Sequence, residues 1–246
     1  MPRLRLSSIG ALTALAVLAA CSLRTAACRT TPGGSTELAA QASLAKAPGS
    51  GEPVKLKIAF LGDSVTAGFG LLSDQAYPAI LEAKFAAEGY HEVESVNGGL
   101  TGDTTAGALR RLDQLLEPEV KILVVALGGN DALRGLTPAQ THDNLAAIVD
   151  AARAKNVSVL LVGMLAPTNL GEDYRTAFSQ TFVQLAREYK DQLEYVPFLL
   201  EGVAGRAELN QDDGIHPNEE GAKIVAETLY PKLRMLVDQV AVSGGG

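Results

Sequence analysis

From residue 54 onward, short apolar runs alternate with segments of helical periodicity, and this alternation constrains the fold most strongly. The runs are rich in Val, Ile and Leu, as expected for strands that are buried on both faces of a sheet. The predicted strands are residues 56–61, 92–96, 122–127, 157–162 and 193–196. The predicted helices are residues 76–88, 105–116, 138–155 and 174–190, with a last helix after Asn218. This order predicts an α/β fold, a three-layer α/β/α sandwich around a five-stranded parallel sheet.

Four polar clusters follow predicted strands, where open α/β sheets bind their ligands. They are Gly62-Asp63-Ser64 after the first strand, residues 97–104 after the second, Gly128-Gly129-Asn130-Asp131 after the third and Asp213-Gly214-Ile215-His216-Pro217 after the fifth. Because the carboxyl ends of parallel strands meet at one edge of the sheet, the sequence predicts a functional site at that edge.

Ser64 is a candidate nucleophile, because a serine on a strand-to-helix turn presents its hydroxyl beside backbone N–H groups that can stabilise an oxyanion. Taken alone, Gly62-Asp63-Ser64 is more typical of a helix cap. Thr66 stands where the G-x-S-x-G elbow has its last glycine, so the motif is not that elbow.

The candidate base is His216, one of three histidines. His91 is expected at the start of a strand on the opposite edge, and His142 near a helix N-terminus in solvent. Asp213 precedes His216 by three residues, which lets its carboxylate reach Nδ1 and leaves Nε2 facing outward. Alone, such a pair is more typical of a capping aspartate beside a surface histidine, but a serine at the same edge favours the base.

The candidate oxyanion donors are the side chain of Asn130 and the backbone N–H of Gly102. Two glycines before Asn130 let the backbone approach a ligand closely, although the same residues also suit a simple turn. The histidines are too scattered for a metal-ligand set, so neither a metal nor another cofactor is expected.

From about residue 56 to residue 236 the chain resembles the SGNH/GDSL hydrolases, in the branch called acyl-CoA thioesterase I, lysophospholipase or arylesterase. Five motifs carry the resemblance, in the family's order. They are Gly62-Asp63-Ser64-Val65-Thr66-Ala67-Gly68, Gly102-Asp103-Thr104-Thr105-Ala106-Gly107, Leu127-Gly128-Gly129-Asn130-Asp131, Leu133-Arg134-Gly135 and Asp213-Gly214-Ile215-His216-Pro217-Asn218.

The resemblance implies the flavodoxin-like SGNH fold and a serine esterase. It implies Ser64 as nucleophile, His216 as base and Asp213 as the residue that orients the base; the family's spacing selects Asp213 over Asp212. It also implies an oxyanion hole made by the backbone N–H groups of Ser64 and Gly102 and the side chain of Asn130.

Leucines near the site favour acyl chains over sugars, although core packing explains some of them. Residues 164–171 resemble the mobile substrate loop of the branch. The expected substrate-binding residues are Leu133, Pro167, Asn169 and Leu170. Lysophospholipids or other acyl esters are the expected substrates, with thioesters as a further class. A carbohydrate acetylesterase of the same fold and a non-catalytic lipid-binding surface lipoprotein remain alternatives.

The N-terminus has the features of an export signal. Arg3 and Arg5 precede an uncharged run, residues 9–20, which is too short to span a bilayer. Leu18-Ala19-Ala20-Cys21 resembles the bacterial lipobox, with Cys21 as the lipidated residue; an ordinary signal peptide cut near Ala27 is the alternative. We therefore expect a lipoprotein signal peptide (1–20), a flexible tether (21–53), the hydrolase domain (54–240) and a disordered tail (241–246).

Composition limits the partners. With 21 basic and 28 acidic residues the net charge is −7, and there is no Trp, so nucleic-acid binding is not expected. Both cysteines, Cys21 and Cys28, precede the domain, which therefore contains no disulfide. The expected protein is an exported monomer, periplasmic or at the cell surface, that acts on a small-molecule ester and is attached to a membrane through an N-terminal lipid.

Overall fold

The computed structural model describes residues 55–243, in which five strands form one parallel sheet. The strands are β1 (Leu56–Gly62), β2 (Val93–Gly99), β3 (Val120–Ala126), β4 (Ser158–Val162) and β5 (Glu194–Val196). They lie in the order β2-β1-β3-β4-β5, so the chain reverses direction across the sheet between β1 and β3. Ligands bind at such a switch point in open α/β sheets. The predicted signal peptide, Cys21 and tether lie outside the described residues.

The described part of the chain contains seven α-helices, six of them between strands and the last after β5. They are α1 (Ser64–Ala67), α2 (Tyr77–Ala87), α3 (Thr105–Leu115), α4 (Gly129–Leu133), α5 (Pro138–Ala154), α6 (Glu172–Glu188) and α7 (Glu219–Ser243). Helices α2 and α7 pack together on one face of the sheet, while α5 packs between α3 and α6 on the other. The predicted three-layer α/β/α sandwich is confirmed.

The register in which the strands pair determines where the candidate site lies. Strand β1 is an interior strand, paired with β2 on one side and β3 on the other, and its Ile58 and Phe60 are fully buried. Its last residue, Gly62, pairs with Gly99 of β2 and with Ala126 of β3, so the three strands end at the same level. The segments that follow them therefore begin side by side at one edge.

Two elements extend three residues beyond the ends that the sequence predicts. Strand β2 continues to Gly99, so Asn97 lies within the strand, although the sequence placed it in the loop that follows. Helix α7 continues to Ser243, so the prediction of a disordered tail from residue 241 is wrong for residues 241–243. No Gly or Pro occurs there before Gly244, and the helix has no reason to stop earlier. Residues 244–246 lie outside the described part.

No helix within residues 55–243 is both long enough and apolar enough to cross a membrane.

Candidate active site

Ser64 is the first residue of α1, and only Asp63 separates it from the end of β1. The carboxylate of Asp63 caps this helix, because its Oδ1 accepts a hydrogen bond from the Val65 N–H at 3.1 Å. The end of β2 presses against the same helix: a Cβ at Gly99 would lie 2.2 Å from the Ala67 nitrogen. Only glycine fits at position 99. The position of Ser64 is therefore held by the Asp63 cap on one side and by the end of β2 on the other.

Ser64, His216 and Asp213 form a continuous hydrogen-bonded chain. His216 Nε2 lies 2.8 Å from Ser64 Oγ, and His216 Nδ1 lies 2.6 Å from Asp213 Oδ2. The other carboxylate oxygen of Asp213 accepts the N–H groups of Ile215 and His216 at 2.9 and 3.0 Å. The three residues that the sequence singled out as a triad are thus brought together, with Asp213 rather than Asp212 on the imidazole.

The hydrogen bonds to Asp213 also set its charge. Chiefly the bond from the His216 side chain, and then the two backbone bonds, lower the pKa of the Asp213 carboxyl to about 2. A carboxylate with so low a pKa stays ionised at any working pH. It can therefore hold the Nδ1–H tautomer of the imidazole without taking up the proton itself.

Two residues near His216 were not found by sequence reasoning. The Phe69 ring lies against the imidazole, with 4.7 Å between the ring centroids, and it is 47% exposed. Gln211 Nε2 donates to the carbonyl oxygens of Phe69 and Pro217 at 2.6 and 2.9 Å. Gln211 therefore joins the segment after Ser64 to the turn that carries His216. A large aromatic residue between two glycines, just beyond Ser64, was the available signal.

Asn130 is the second residue of α4, the helix that follows β3. Gly128, which caps this helix, has φ +116°, and a Cβ on it would lie 3.1 Å from the Phe182 ring. The turn therefore requires glycine, as the motif suggested. Asn130 Nδ2 donates to Asp63 Oδ2 across 3.4 Å, which brings its amide beside the residue that precedes Ser64.

Asp63 is a carboxyl group buried beside Ser64. Burial raises the pKa of Asp63 to about 6, although the hydrogen bond from the Val65 N–H and the charge of His216 both oppose the rise. The ionised form therefore carries an energetic cost in the folded protein.

The turn that contains Gly102, residues 100–103, is held to the end of β1 by Arg111. Arg111 of α3 donates from Nε to Asp103 Oδ2 at 2.8 Å and from Nη2 to the Gly62 carbonyl at 3.2 Å. From the opposite side, Arg134 Nη2 donates to the Gly102 carbonyl at 2.6 Å. Neither arginine was assigned a role from the sequence.

Asp131 joins the Asn130 helix to the start of α3. It is fully buried, and Oδ2 accepts the Thr105 N–H at 2.9 Å while Oδ1 accepts the Thr105 hydroxyl. Because Thr105 follows Gly102 by three residues, this buried pair sets the spacing between the two candidate oxyanion donors. The sequence motif contained Asp131, but only its burial reveals this role.

The predicted substrate-binding residues lie in the connections that follow β3 and β4. Leu133 ends α4 and is 60% exposed. Pro167 and Asn169 belong to the β4–α6 connection, and Leu170 there packs partly against the core. Six exposed large apolar side chains follow the carboxyl ends of the five strands: Phe69, Leu72, Leu100, Leu133, Leu165 and Ile215. We call these six side chains the apolar rim; contact between substrate and the four predicted residues stays a prediction.

The other two histidines lie elsewhere. His91 precedes β2 at the opposite edge of the sheet, and His142 Nε2 is 3.0 Å from Glu188 Oε2, between α5 and the end of α6. Within the described range, no group of three or more His, Cys, Asp or Glu side chains is arranged to hold a metal ion.

Comparison with known proteins identifies the family. Residues 60–224 match the model of the GDSL-like lipase/acylhydrolase family. The chain belongs to this family. The GDSL-like hydrolase is 43% identical to Esterase TesA of Pseudomonas aeruginosa over 178 residues, which cover 72% of this chain and 87% of the relative. It is 37% identical to Thioesterase 1/protease 1/lysophospholipase L1 of Escherichia coli K12 over 179 residues, covering 72% and 83% of the two chains.

Solved structures agree with this assignment. The crystal structure of TesA superposes on this GDSL-like hydrolase with a TM-score of 0.69 at 41% identity, covering 73% of this chain and 99% of that one. AlinE4, an SGNH-hydrolase family esterase, gives a TM-score of 0.60 at 38% identity and covers 74% of this chain and 95% of its own. The resemblance seen in the sequence is confirmed, and the chain is an enzyme of the ester-hydrolase class.

Proposed function

We propose that this GDSL-like hydrolase cleaves acyl esters by a two-step transfer through Ser64. The observation that carries the proposal is the unbroken chain of hydrogen bonds from Ser64 Oγ through the His216 imidazole to Asp213. His216 Nε2 accepts the hydroxyl proton as Ser64 Oγ attacks the ester carbonyl, and then returns that proton to the leaving alcohol. Water activated by the same imidazole hydrolyses the acyl-enzyme and regenerates Ser64.

The oxyanion of each tetrahedral intermediate is proposed to accept hydrogen bonds from the Ser64 and Gly102 backbone N–H groups and from Asn130 Nδ2. Each such donor contributes on the order of 3 kcal/mol to the lowering of the barrier. Support comes from two hydrogen bonds near these donors: one from Asn130 to Asp63, and one from the Thr105 N–H, at the start of α3, to Asp131 of the Asn130 helix.

The proposed substrates are lysophospholipids and other esters of apolar acyl chains, with thioesters as a further class. The exposed apolar rim supports this choice over sugar acetates, because it offers surface to a chain rather than hydrogen bonds to hydroxyls. One relative carries the name lysophospholipase L1 and another the name arylesterase.

We further propose that residues 1–20 direct export, that Cys21 carries the lipid and that a monomer acts at a membrane face. The support is the sequence of the N-terminus: a short apolar run after two arginines and small residues before Cys21. Mass spectrometry of the N-terminal peptide tests it. Cys21→Ser should release the protein from the membrane fraction, whereas Cys28→Ser should not.

A fluorophosphonate probe and a chain-length series of p-nitrophenyl esters test the proposed chemistry. The probe should label wild type on Ser64 and should not label Ser64→Ala, while the exposed Ser73→Ala serves as a control that keeps labelling. Turnover should rise from acetate toward medium-length chains. Turnover confined to acetate would instead support a carbohydrate acetylesterase, and a folded protein with neither labelling nor turnover would support a non-catalytic binder.

A further inference from the structure

Asp63 is a buried carboxyl group to which the proposed mechanism gives no part. The residue is 4% exposed, and its two oxygens accept hydrogen bonds from two different helices. Oδ1 accepts the Val65 N–H at 3.1 Å, and Oδ2 accepts from Asn130 Nδ2 at 3.4 Å. A Cβ at Gly129 would lie 3.4 Å from the same Oδ2, so this oxygen faces the first turn of α4. Asp63 therefore links the helix that begins with Ser64 to the helix that carries Asn130.

Helix capping alone does not account for an acid at position 63. Asparagine caps a helix about as well as aspartate does, and it carries no charge to bury. The buried charge has a cost here: burial raises the pKa of Asp63 to about 6, the charge of Asp103 adds to the rise, and the charge of His216 opposes it. What the carboxylate has and an amide lacks is a second acceptor oxygen.

This second oxygen selects one of two orientations of the Asn130 amide. The NH2 group and the oxygen of an amide have nearly the same shape, so packing alone distinguishes them poorly. An ionised carboxylate only accepts, so Asp63 Oδ2 attracts Nδ2 of Asn130 and repels its Oδ1. Nδ2 carries two hydrogens, and the one that does not point to Asp63 can donate to an oxyanion. The reversed amide would turn its oxygen toward the oxyanion instead.

We propose that Asp63 is a positioning residue of the oxyanion hole, whose carboxylate holds the Asn130 amide with Nδ2 toward the reacting carbonyl. The inference rests on the proposed ester hydrolase function, in which Asn130 is an oxyanion donor, and it adds the residue that orients this donor. Asp63 then acts on Asn130 as Asp213 acts on His216: each carboxylate fixes a neighbouring side chain and takes up no proton itself.

The test is a double-mutant cycle between positions 63 and 130, measured with p-nitrophenyl butyrate at pH 8, where Asp63 is ionised. Asp63→Asn keeps one acceptor oxygen for the Val65 N–H and has no second one for Asn130. It should lower kcat roughly ten- to a hundredfold and leave KM within about twofold. In the Asn130→Ala background the same substitution should cost less than about twofold, because the amide that it orients is gone. Asp63→Ser, which also caps the helix, should repeat both results.

Two measurements separate a positioning role from a general loss of structure. Asp74→Asn, at an exposed position in the segment after α1, is the matched control and should leave kcat unchanged in both backgrounds. Urea unfolding at pH 8 should show Asp63→Asn to be at least as stable as wild type, because a neutral amide replaces a buried charge. A variant that is slower but no less stable has lost the orientation of the donor rather than the fold.

The outcomes distinguish this inference from the function on which it rests. The role of Asp63 is overturned, while the hydrolase function stands, if Asp63→Asn leaves kcat unchanged, costs as much in the Asn130→Ala background as in wild type, or loses stability together with activity. A wild-type protein that turns over no ester overturns the proposed function and the inference together. An Asn130→Ala variant as fast as wild type removes Asn130 from the oxyanion hole, and Asp63 with it.

Discussion

His216 Nε2 lies 2.8 Å from Ser64 Oγ, although 152 positions separate the two residues in the chain. The first residue of α1 and the turn before α7 meet because β1 is an interior strand of the sheet and α7 returns to pack across β3, β4 and β5. The predictions that follow depend on this contact and on the side chains that surround it.

Asp213→Asn should lower kcat roughly 10⁴-fold, because an amide cannot hold the imidazole in the tautomer that leaves Nε2 free to accept a proton. Asp212→Asn, at the exposed neighbouring position, is the matched control and should retain nearly full activity. Steady-state kinetics with p-nitrophenyl butyrate measure both. Similar losses in the two variants would contradict the assignment of Asp213.

Asp63 should make the protein less stable as the pH rises from 4 to 7. The pKa of this carboxyl is raised from 3.8 to about 6, so between these values the folded state keeps a proton that the unfolded state has released. Deprotonation then favours unfolding by up to about 3 kcal/mol. Asp63→Asn keeps a capping side chain but does not titrate. Urea unfolding should show the variant gaining that amount over wild type between pH 4 and 7; a constant difference would refute the prediction.

Thr105→Val should lower kcat by roughly ten- to a hundredfold with a smaller change in KM. The substitution removes the hydroxyl that donates a hydrogen bond to Asp131, so Asn130 can move relative to Gly102. Thr105→Ser retains the hydroxyl and should stay close to wild type. Thermal unfolding of both variants separates a shifted site from a lost fold. Comparable kcat values for the Val and Ser variants would argue against this spacing role.

Leu133→Asn should raise KM for p-nitrophenyl decanoate about tenfold and leave the acetate ester almost unchanged, since only the longer chain buries apolar surface against this side chain. The control is Val242→Asn, which removes an apolar side chain that is 72% exposed near the far end of α7. If the acetate and decanoate esters lose equally, Leu133 does not contact the acyl chain.

The sequence was sufficient for the sheet, because buried parallel strands are continuous apolar runs with sharp ends. It was less informative for β2, whose second half, Val96–Gly99, lacks such a run and lies at the edge of the sheet. The short helices α1 and α4 were also missed, since four or five residues are too few to show helical periodicity.

The residues of the site also divide into those that the sequence predicts and those that it does not. Ser64, Asn130, Asp213 and His216 could be predicted because each occurs in a recognisable motif after a strand. Phe69 and Gln211 could not, because they depend on which loops meet in space rather than on local pattern. The burial of Asp131 likewise follows from the packing of α3 against the segment after β3.

Asp213 orients His216 entirely within one tetrapeptide, through the imidazole Nδ1 and the backbone N–H groups of residues 215 and 216. The hydrogen bonds that join the carboxylate to the imidazole are therefore local in the chain, whereas the contacts that hold the turn in place, from Phe69 and Gln211, come from outside the tetrapeptide. The connection that carries this turn can change in length without breaking the pair, provided that those outside contacts still hold the imidazole opposite Ser64.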